Sequence, residues 1–371
     1  MDLELTPEQG ELRSLASELL AQRVPREAPR AYLEGRGDST ELWAELAALG
    51  WYGVGLDDDD AFGVPGLSVL AEQVGRRLAS TVVVDLAVAA RIVASGPDRV
   101  RKAWLDRLLD GTATVSLATA DSVETVASPD GSGGVRVSGT KIGVRHGEAV
   151  AAYGVVAGLH GEAAFVIVPA DRPGIEITPG YGIDPTGCEV RLGLDDVSVG
   201  ADSVVANPDA IERAFAVGAV ATAAEAVGAA SAALELAVAY AKEREQFGRA
   251  IGTFQAVQHI LADAHVLRET AWSAVLYAAA ALDEGAPDAA EASTIAKAYT
   301  SRAARTVVQN VLQVLGGIGF TWEHDLHLFL RRVLACEQRF GDALFHERRL
   351  AVALAARAED RLAATTGRSL Q

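Results

Sequence analysis

Residues 209–243 are almost uninterrupted alanine, with leucine, valine and glutamate between, and that run constrains the chain more than any other feature. Alanine has the strongest helix propensity, and the run contains no proline. It predicts a helix of ~35 residues, roughly 50 Å long at 1.5 Å per residue. Small side chains let other helices approach closely, and a long alanine face suits packing against another subunit. Glu225 and Glu235 interrupt the run, so it does not read as a charge-free membrane span. Further helices are expected at about 253–284, 287–314 and 324–359, joined by loops such as "DEGAPDAAE". Long helices with short connections predict an antiparallel bundle over 208–371.

Two other textures precede this bundle. Residues 1–111 read as helical. "TPEQGELRSLASELLAQRV" offers Thr6 as an N-cap and Pro7 at the first helical position, and "STELWAELAALGWYG" starts at Ser39 or Thr40 and stops at Gly50. Over 112–207 the pattern changes to short Val/Ile/Thr-rich runs punctuated by Gly, Pro and Asp, such as "GVRVSGTKIGVR" and "AAFVIVPA". These runs predict an antiparallel β domain, a small barrel or sandwich, with "SPDGSGGVRV" as a hairpin turn. The fold class is therefore α+β, mainly α. The four-aspartate run 57–60 reads as a solvated loop rather than a cation site.

Composition removes several functions. Of 371 residues, 50% are apolar, enough for a substantial core. Lys and Arg number 33 against 50 Asp and Glu, for a net charge of −17, which argues against a nucleic-acid protein. Cys188 and Cys336 make no disulfide framework, and no CxxC or HxxxH pair suggests a metal site. The N-terminus is charged and carries no apolar signal core, so a cytoplasmic globular protein with no membrane partner is expected.

Two stretches then stand out. "REQFGRAIGTFQ", residues 244–255, sets Arg244, two amides and two phenylalanines at the end of the long helix. "QVLGGIGF", residues 313–320, brings an amide and three glycines about seventy residues later. An arginine offers a planar fork of donors suited to phosphate, and glycines permit close backbone approach.

Together, "YAKEREQFGRAIGTFQAVQHILAD" and "QVLGGIGFTWEHDLHLFLRR", behind a β domain, resemble the acyl-CoA dehydrogenase family. "LTPEQGELRSLASELL" and "GTKIGVRHGEAVAAYGVVAG" fit its opening helix and a central-strand region. The resemblance implies an N-terminal helical domain, a middle β-barrel domain and a C-terminal four-helix bundle. It also implies FAD bound across a subunit interface and an acyl-CoA lying against the flavin, with a carboxylate that removes an α-proton. By this resemblance Arg244 reaches the pyrophosphate of a neighbour's FAD, with Gln246 and Phe247 beside it. Phe254 and Gln255 add an apolar wall and an amide, Gln313 hydrogen-bonds the cofactor, and Gly316 and Gly317 let backbone approach it.

The chain departs from the family on the flavin-ring side. Where a Thr-Glu-Pro run followed by Gly-Ser-Asp is usual, Thr119 is followed by Ala120 and Asp121. Where a Trp-x-Thr follows Gly-x-Lys, Gly143 and Arg145 stand instead. The catalytic glutamate's place in the last helical region is taken by Phe340, followed by Gly341. The alternative place on the first bundle helix falls near Gly218, and Glu212, Glu337 and Asp342 are not promoted to the role. No catalytic residue is therefore assigned. The pattern resembles the non-catalytic partner in the family's two-gene α2β2 members, typical of actinobacterial steroid catabolism. It implies a second subunit that carries the glutamate. A self-sufficient homotetramer with a relocated base and a flavin-free pseudoenzyme remain open alternatives.

Overall fold

The computed structural model describes residues 3–56 and 61–368, with side chains described through residue 358; the aspartate run 57–60 lies outside them. The N-terminal helices are α1 (Pro7–Arg23), α2 (Ala28–Leu33), α3 (Thr40–Ala48), α4 (Gly63–Arg77), α5 (Val83–Ala94) and α6 (Asp98–Leu109). Thr6 caps α1 as the sequence predicts. Its hydroxyl accepts from the Gln9 N–H, and the Gln9 side chain accepts from the Thr6 N–H. Pro7 fills the first position, where its missing N–H costs nothing.

The strands follow as β1 (Val115–Ala118), β2 (Ala120–Pro129), β3 (Val135–Val144), β4 (Ala152–Leu159), β5 (Glu162–Pro169), β6 (Ile175–Pro179), β7 (Val190–Val199) and β8 (Val204–Val205). They form one sheet in the order β6-β7-β3-β2-β4-β5-β8, with β1 added on β4. The Asp130 carboxylate accepts from the Ser132 and Gly134 N–H groups and closes the β2–β3 hairpin at the expected turn. The expectation of a wholly antiparallel domain needs correcting. β1 runs parallel to β4 from Val115↔Ala152 to Ala118↔Val155, and β2 meets β4 in parallel at Val126↔Gly158. The β2–β3 hairpin supplies the crossover that such parallel pairing needs.

The bundle comprises α7 (Pro208–Glu243), α8 (Gln255–Asp283), α9 (Ala289–Leu315), α10 (Leu326–Gln338) and α11 (Ala343–Arg368). A two-residue hairpin, β9 (Glu245–Gln246) with β10 (Arg249–Ala250), separates α7 from α8. By length and hydropathy α7 passes for a membrane span, yet 94% of its most apolar window is buried inside the protein. It is a core helix. Small residues on both helices allow the crossing of α7 with α4: a Cβ at Gly228 would collide with the Glu72 carbonyl, and one at Gly75 with the Glu225 carbonyl.

The last element differs from the single helix expected over 324–359. Phe340 has a φ of 56° and Gly341 a φ of 95°. These left-handed residues end α10 and turn the chain. Asp342 then starts α11 by accepting the Phe345 N–H at 2.7 Å, as a helix cap does.

Candidate functional site

The first candidate group lies where α7 ends. Arg244 caps that helix through its backbone N–H on the Tyr240 carbonyl, and its side chain is exposed, with no ion pair among the described residues. The Ile251 N–H donates back to the Arg244 carbonyl at 2.8 Å and closes the loop. Phe247 and Gly248, at φ 54° and 76°, form the tight turn of the β9–β10 hairpin. That turn lifts the Phe247 ring into solvent, 92% exposed, edge-on to Phe254 at 6.2 Å. The Arg249 guanidinium covers Phe254 at 4.2 Å, a cation over a ring face. Gln246 sits exposed in β9, its amide donating to the Glu245 carbonyl, and Gln255 is the exposed first residue of α8.

The second group ends α9. Gln313 is exposed on the last turn, and Gly316 caps the helix at φ 62°, a conformation that penalises any side chain. A Cβ at Gly316 or Gly317 would meet nothing within 4 Å, so both present open backbone. The two groups rest on one apolar cluster: Ile251 and Val257 beside the first, Leu312 and Leu315 beneath the second. The fold thus brings the sequence-predicted residues to the same end of the bundle. Exposed donors, an unpaired guanidinium and bare glycine backbone together suit a large anionic cofactor.

The departures on the flavin-ring side converge elsewhere. Thr119, Ala120, Gly143, Arg145 and Phe340 line one cavity of about 1270 Å³ between the sheet and the bundle. Gly143 sits in a β3 irregularity at φ 64°, where an indole-bearing residue would be strained. Asp121 is occupied within the sheet, its carboxylate pairing with the buried Lys141 at 2.6 Å.

The two places where the resemblance puts a base meet in space. A Cβ on Gly218 would stand 2.6 Å from the Phe340 ring, which packs edge-on against Phe215 at 5.5 Å. Neither carries a carboxylate. Glu337 is buried against Arg305, Glu212 pairs with Arg349, and Asp342 caps α11. Each flanking acid therefore has a structural partner.

Sequence reasoning missed two features here. One is a buried ionic network. Arg332, 0% exposed, donates to Asp184 at 2.5 Å and Glu225 at 2.9 Å, and Arg339 reaches Asp85 at 2.9 Å. Burial pushes Asp184 up, but Arg332 and Arg145 outweigh it and hold its carboxyl below the usual range. The other is Glu189, which lines the cavity and whose carboxyl burial pushes above the usual range against the pull of Arg145. No local pattern marks either, because the partners are distant in sequence.

Residues 6–112 match the acyl-CoA dehydrogenase N-terminal domain, and residues 209–355 match the acyl-CoA dehydrogenase C-terminal domain. The chain is 32% identical over 318 residues to the acyl-CoA dehydrogenase FadE12 of Mycobacterium tuberculosis, covering 78% of this chain and 81% of that protein. It is 33% identical over 332 residues to the acyl-CoA dehydrogenase FadE34 of the same organism, covering 87% of this chain but only 43% of FadE34. Among solved structures it superposes on the Tcur3481-Tcur3483 steroid ACAD with a TM-score of 0.85 at 31% identity, covering 95% of this chain and 99% of that one. The ChsE4-ChsE5 complex from Mycobacterium tuberculosis gives a TM-score of 0.86 at 26% identity, covering 96% and 99%.

Proposed function

The chain belongs to the acyl-CoA dehydrogenase family, and from that premise we propose that it is one subunit of a flavin-dependent enzyme that introduces a Cα–Cβ double bond into an acyl-CoA thioester. In this reading it supplies the nucleotide-side half of a FAD site, and a second subunit supplies the flavin-ring half and the catalytic glutamate. The observation that carries the reading is the meeting of Phe340 with Gly218. Both places for a general base are filled by groups that cannot take a proton, while the phosphate-binding end of the bundle is intact. Proton abstraction needs a carboxylate held near the α-carbon, worth roughly 10²–10⁴ in rate.

FAD is the cofactor, and its flavin would accept the hydride when bound. The residues of this chain have other work. Arg244 places a permanent positive charge on the pyrophosphate, with Gln246 and Phe247 beside it. Phe254, with Gln255, walls the nucleotide, Gln313 donates an amide hydrogen bond, and Gly316 and Gly317 offer backbone without side-chain obstruction. A bulky, ring-bearing acyl-CoA is the substrate class this reading favours, supported by the similarity to a steroid ACAD. The α2β2 arrangement follows from the need for a partner with the missing half-site, and the two-chain assembly named for ChsE4-ChsE5 supports it.

Glu189 sustains one competing reading, a self-sufficient homotetramer with a displaced base, because it is a carboxylate inside the cavity. Dye reduction by the homogeneous chain, with and without the product of a co-expressed partner, separates the readings. We expect no turnover alone and turnover with the partner. Turnover by the chain alone, abolished by Glu189→Gln, would establish the homotetramer, and a colourless protein in both preparations would leave a structural role.

A further inference from the structure

The cavity between sheet and bundle keeps its volume although it lacks a base, and its charges do not all find partners. Four of its lining residues are arginines. Arg349 pairs with Glu212, and Arg339 pairs with Asp85 at 2.9 Å and Glu225 at 3.4 Å. Arg213 lies on the exposed surface of α7. Arg145 differs from all three. It is only 7% exposed, yet its Nε and Nη2 have no hydrogen-bond partner among the described residues. Those two atoms form the edge of a guanidinium that grips a carboxylate side-on.

The neighbouring acids do not satisfy that edge. Asp184 Oδ2 stands off at 4.0 Å and is already held by Arg332 at 2.5 Å. Its other oxygen accepts from the Thr186 hydroxyl and N–H. A buried cation without a matched acceptor is costly, and native proteins seldom leave one unless something else completes it. The same cavity presents apolar surface from Ile142, Ile183, Phe215, Val217, Leu282 and Phe340, alongside the acids Glu189, Asp209 and Glu212. The cavity, at about 1270 Å³, exceeds the roughly 300–1,000 Å³ of pockets for drug-sized molecules.

We propose that this cavity binds a bulky apolar carboxylate, its carboxyl group on the Nε–Nη2 edge of Arg145 and its body against the apolar wall. The ligand is held and not transformed, because Phe340 and Gly218 fill the two places for a general base. Glu189 is the neighbour it displaces. Arg145 and Glu189 flank Gly187, where a Cβ would stand 3.2 Å from Arg145 Nε and 3.6 Å from Glu189 Cγ. Burial raises the affinity of the Glu189 carboxyl for its proton, which lessens the repulsion it offers an incoming anion. The site needs neither FAD nor a second subunit, so its test is independent of the shared-cofactor reading.

Fluorescence titration of the purified protein with 1-pyrenebutyrate and with 1-pyrenebutanol, the same ring system ending in a hydroxyl, tests the assignment. We expect one pyrenebutyrate per chain, bound at least tenfold more tightly than the alcohol. Arg145→Gln should erase that preference while pyrenebutanol binding persists. Glu189→Gln should widen it by removing a competing carboxylate. Equal affinity for acid and alcohol, or a preference that survives Arg145→Gln, would overturn the site. If Arg145→Gln does not fold, the decision passes to Glu189→Gln: a wider preference upholds the proposal, and an unchanged or narrower one rejects it.

Discussion

Two ends of this molecule use arginine in opposite ways. At the end of the bundle Arg244 stands exposed, without an ion pair among the described residues, beside an exposed phenylalanine and open glycine backbone. Beneath the sheet Arg332 is wholly buried and tied to Asp184, Glu225, Thr186 and the Ala79 carbonyl. An unpaired surface cation costs the fold little and stays available to a ligand from outside. A buried one needs a partner, from the chain or from a ligand, and Arg332 takes its partners from α7, the β6–β7 loop and the α4–α5 loop. The contrast separates what the protein offers to others from what it needs for itself.

Exchanging the two roles by mutation should give opposite outcomes. The largest effect is expected from Arg332→Leu, which takes the nearest cation away from two buried acids, Asp184 and Glu225. It should cost about 3–5 kcal/mol in urea unfolding. A loss under about 1 kcal/mol would show that the network is not a structural anchor. Arg244→Ala should leave unfolding unchanged but weaken FAD retention in the assembled protein by about ten- to a hundredfold, or ~1.5–3 kcal/mol. Unchanged retention would remove Arg244 from the cofactor site.

A smaller effect separates buried from exposed cations by pH. Lys297 is buried, donates to the Glu337 and Cys336 carbonyls, and has its pKa lowered by burial to about 8 from the usual 10.5. Between those values the unfolded chain holds more protons than the folded one, so this residue makes stability rise with pH there, and its penalty is fully present below the folded value. Lys297→Met should flatten that slope by up to about one proton, read from urea unfolding at pH 8 and pH 10. An unchanged slope would mean that Lys297 titrates normally. The smallest effect expected is none: Phe340→Glu should give no dye reduction in the isolated chain, because the sheet side of the cavity still lacks flavin contacts. Measurable turnover would show that only the base was missing.

The sequence makes the loop end of the bundle far more legible than the cavity. Arg244, Gln246 and Phe247 fall within four residues, and Gln313, Gly316 and Gly317 within five, so local spacing carries each group. The Thr6–Pro7 helix start and the alanine run are equally local, and both elements form where propensity and capping put them. The break at Phe340–Gly341 was hidden because α10 and α11 share helical periodicity, and only positive φ at two adjacent residues interrupts it. The network of Arg332 was hidden for a different reason. Asp184 and Glu225 lie 148 and 107 residues away, and nothing local pairs them. Glu189 precedes β7 in an ordinary strand sequence, and only the fold carries it into the cavity.

The central claim is that this chain holds half of a cofactor site. The flavin content of the purified protein, measured by absorbance against total polypeptide, tests it most directly. We expect no flavin on the chain alone, and about one FAD for every two polypeptides once it is assembled with a second, glutamate-bearing subunit. One FAD per chain in a preparation containing only this polypeptide would contradict it.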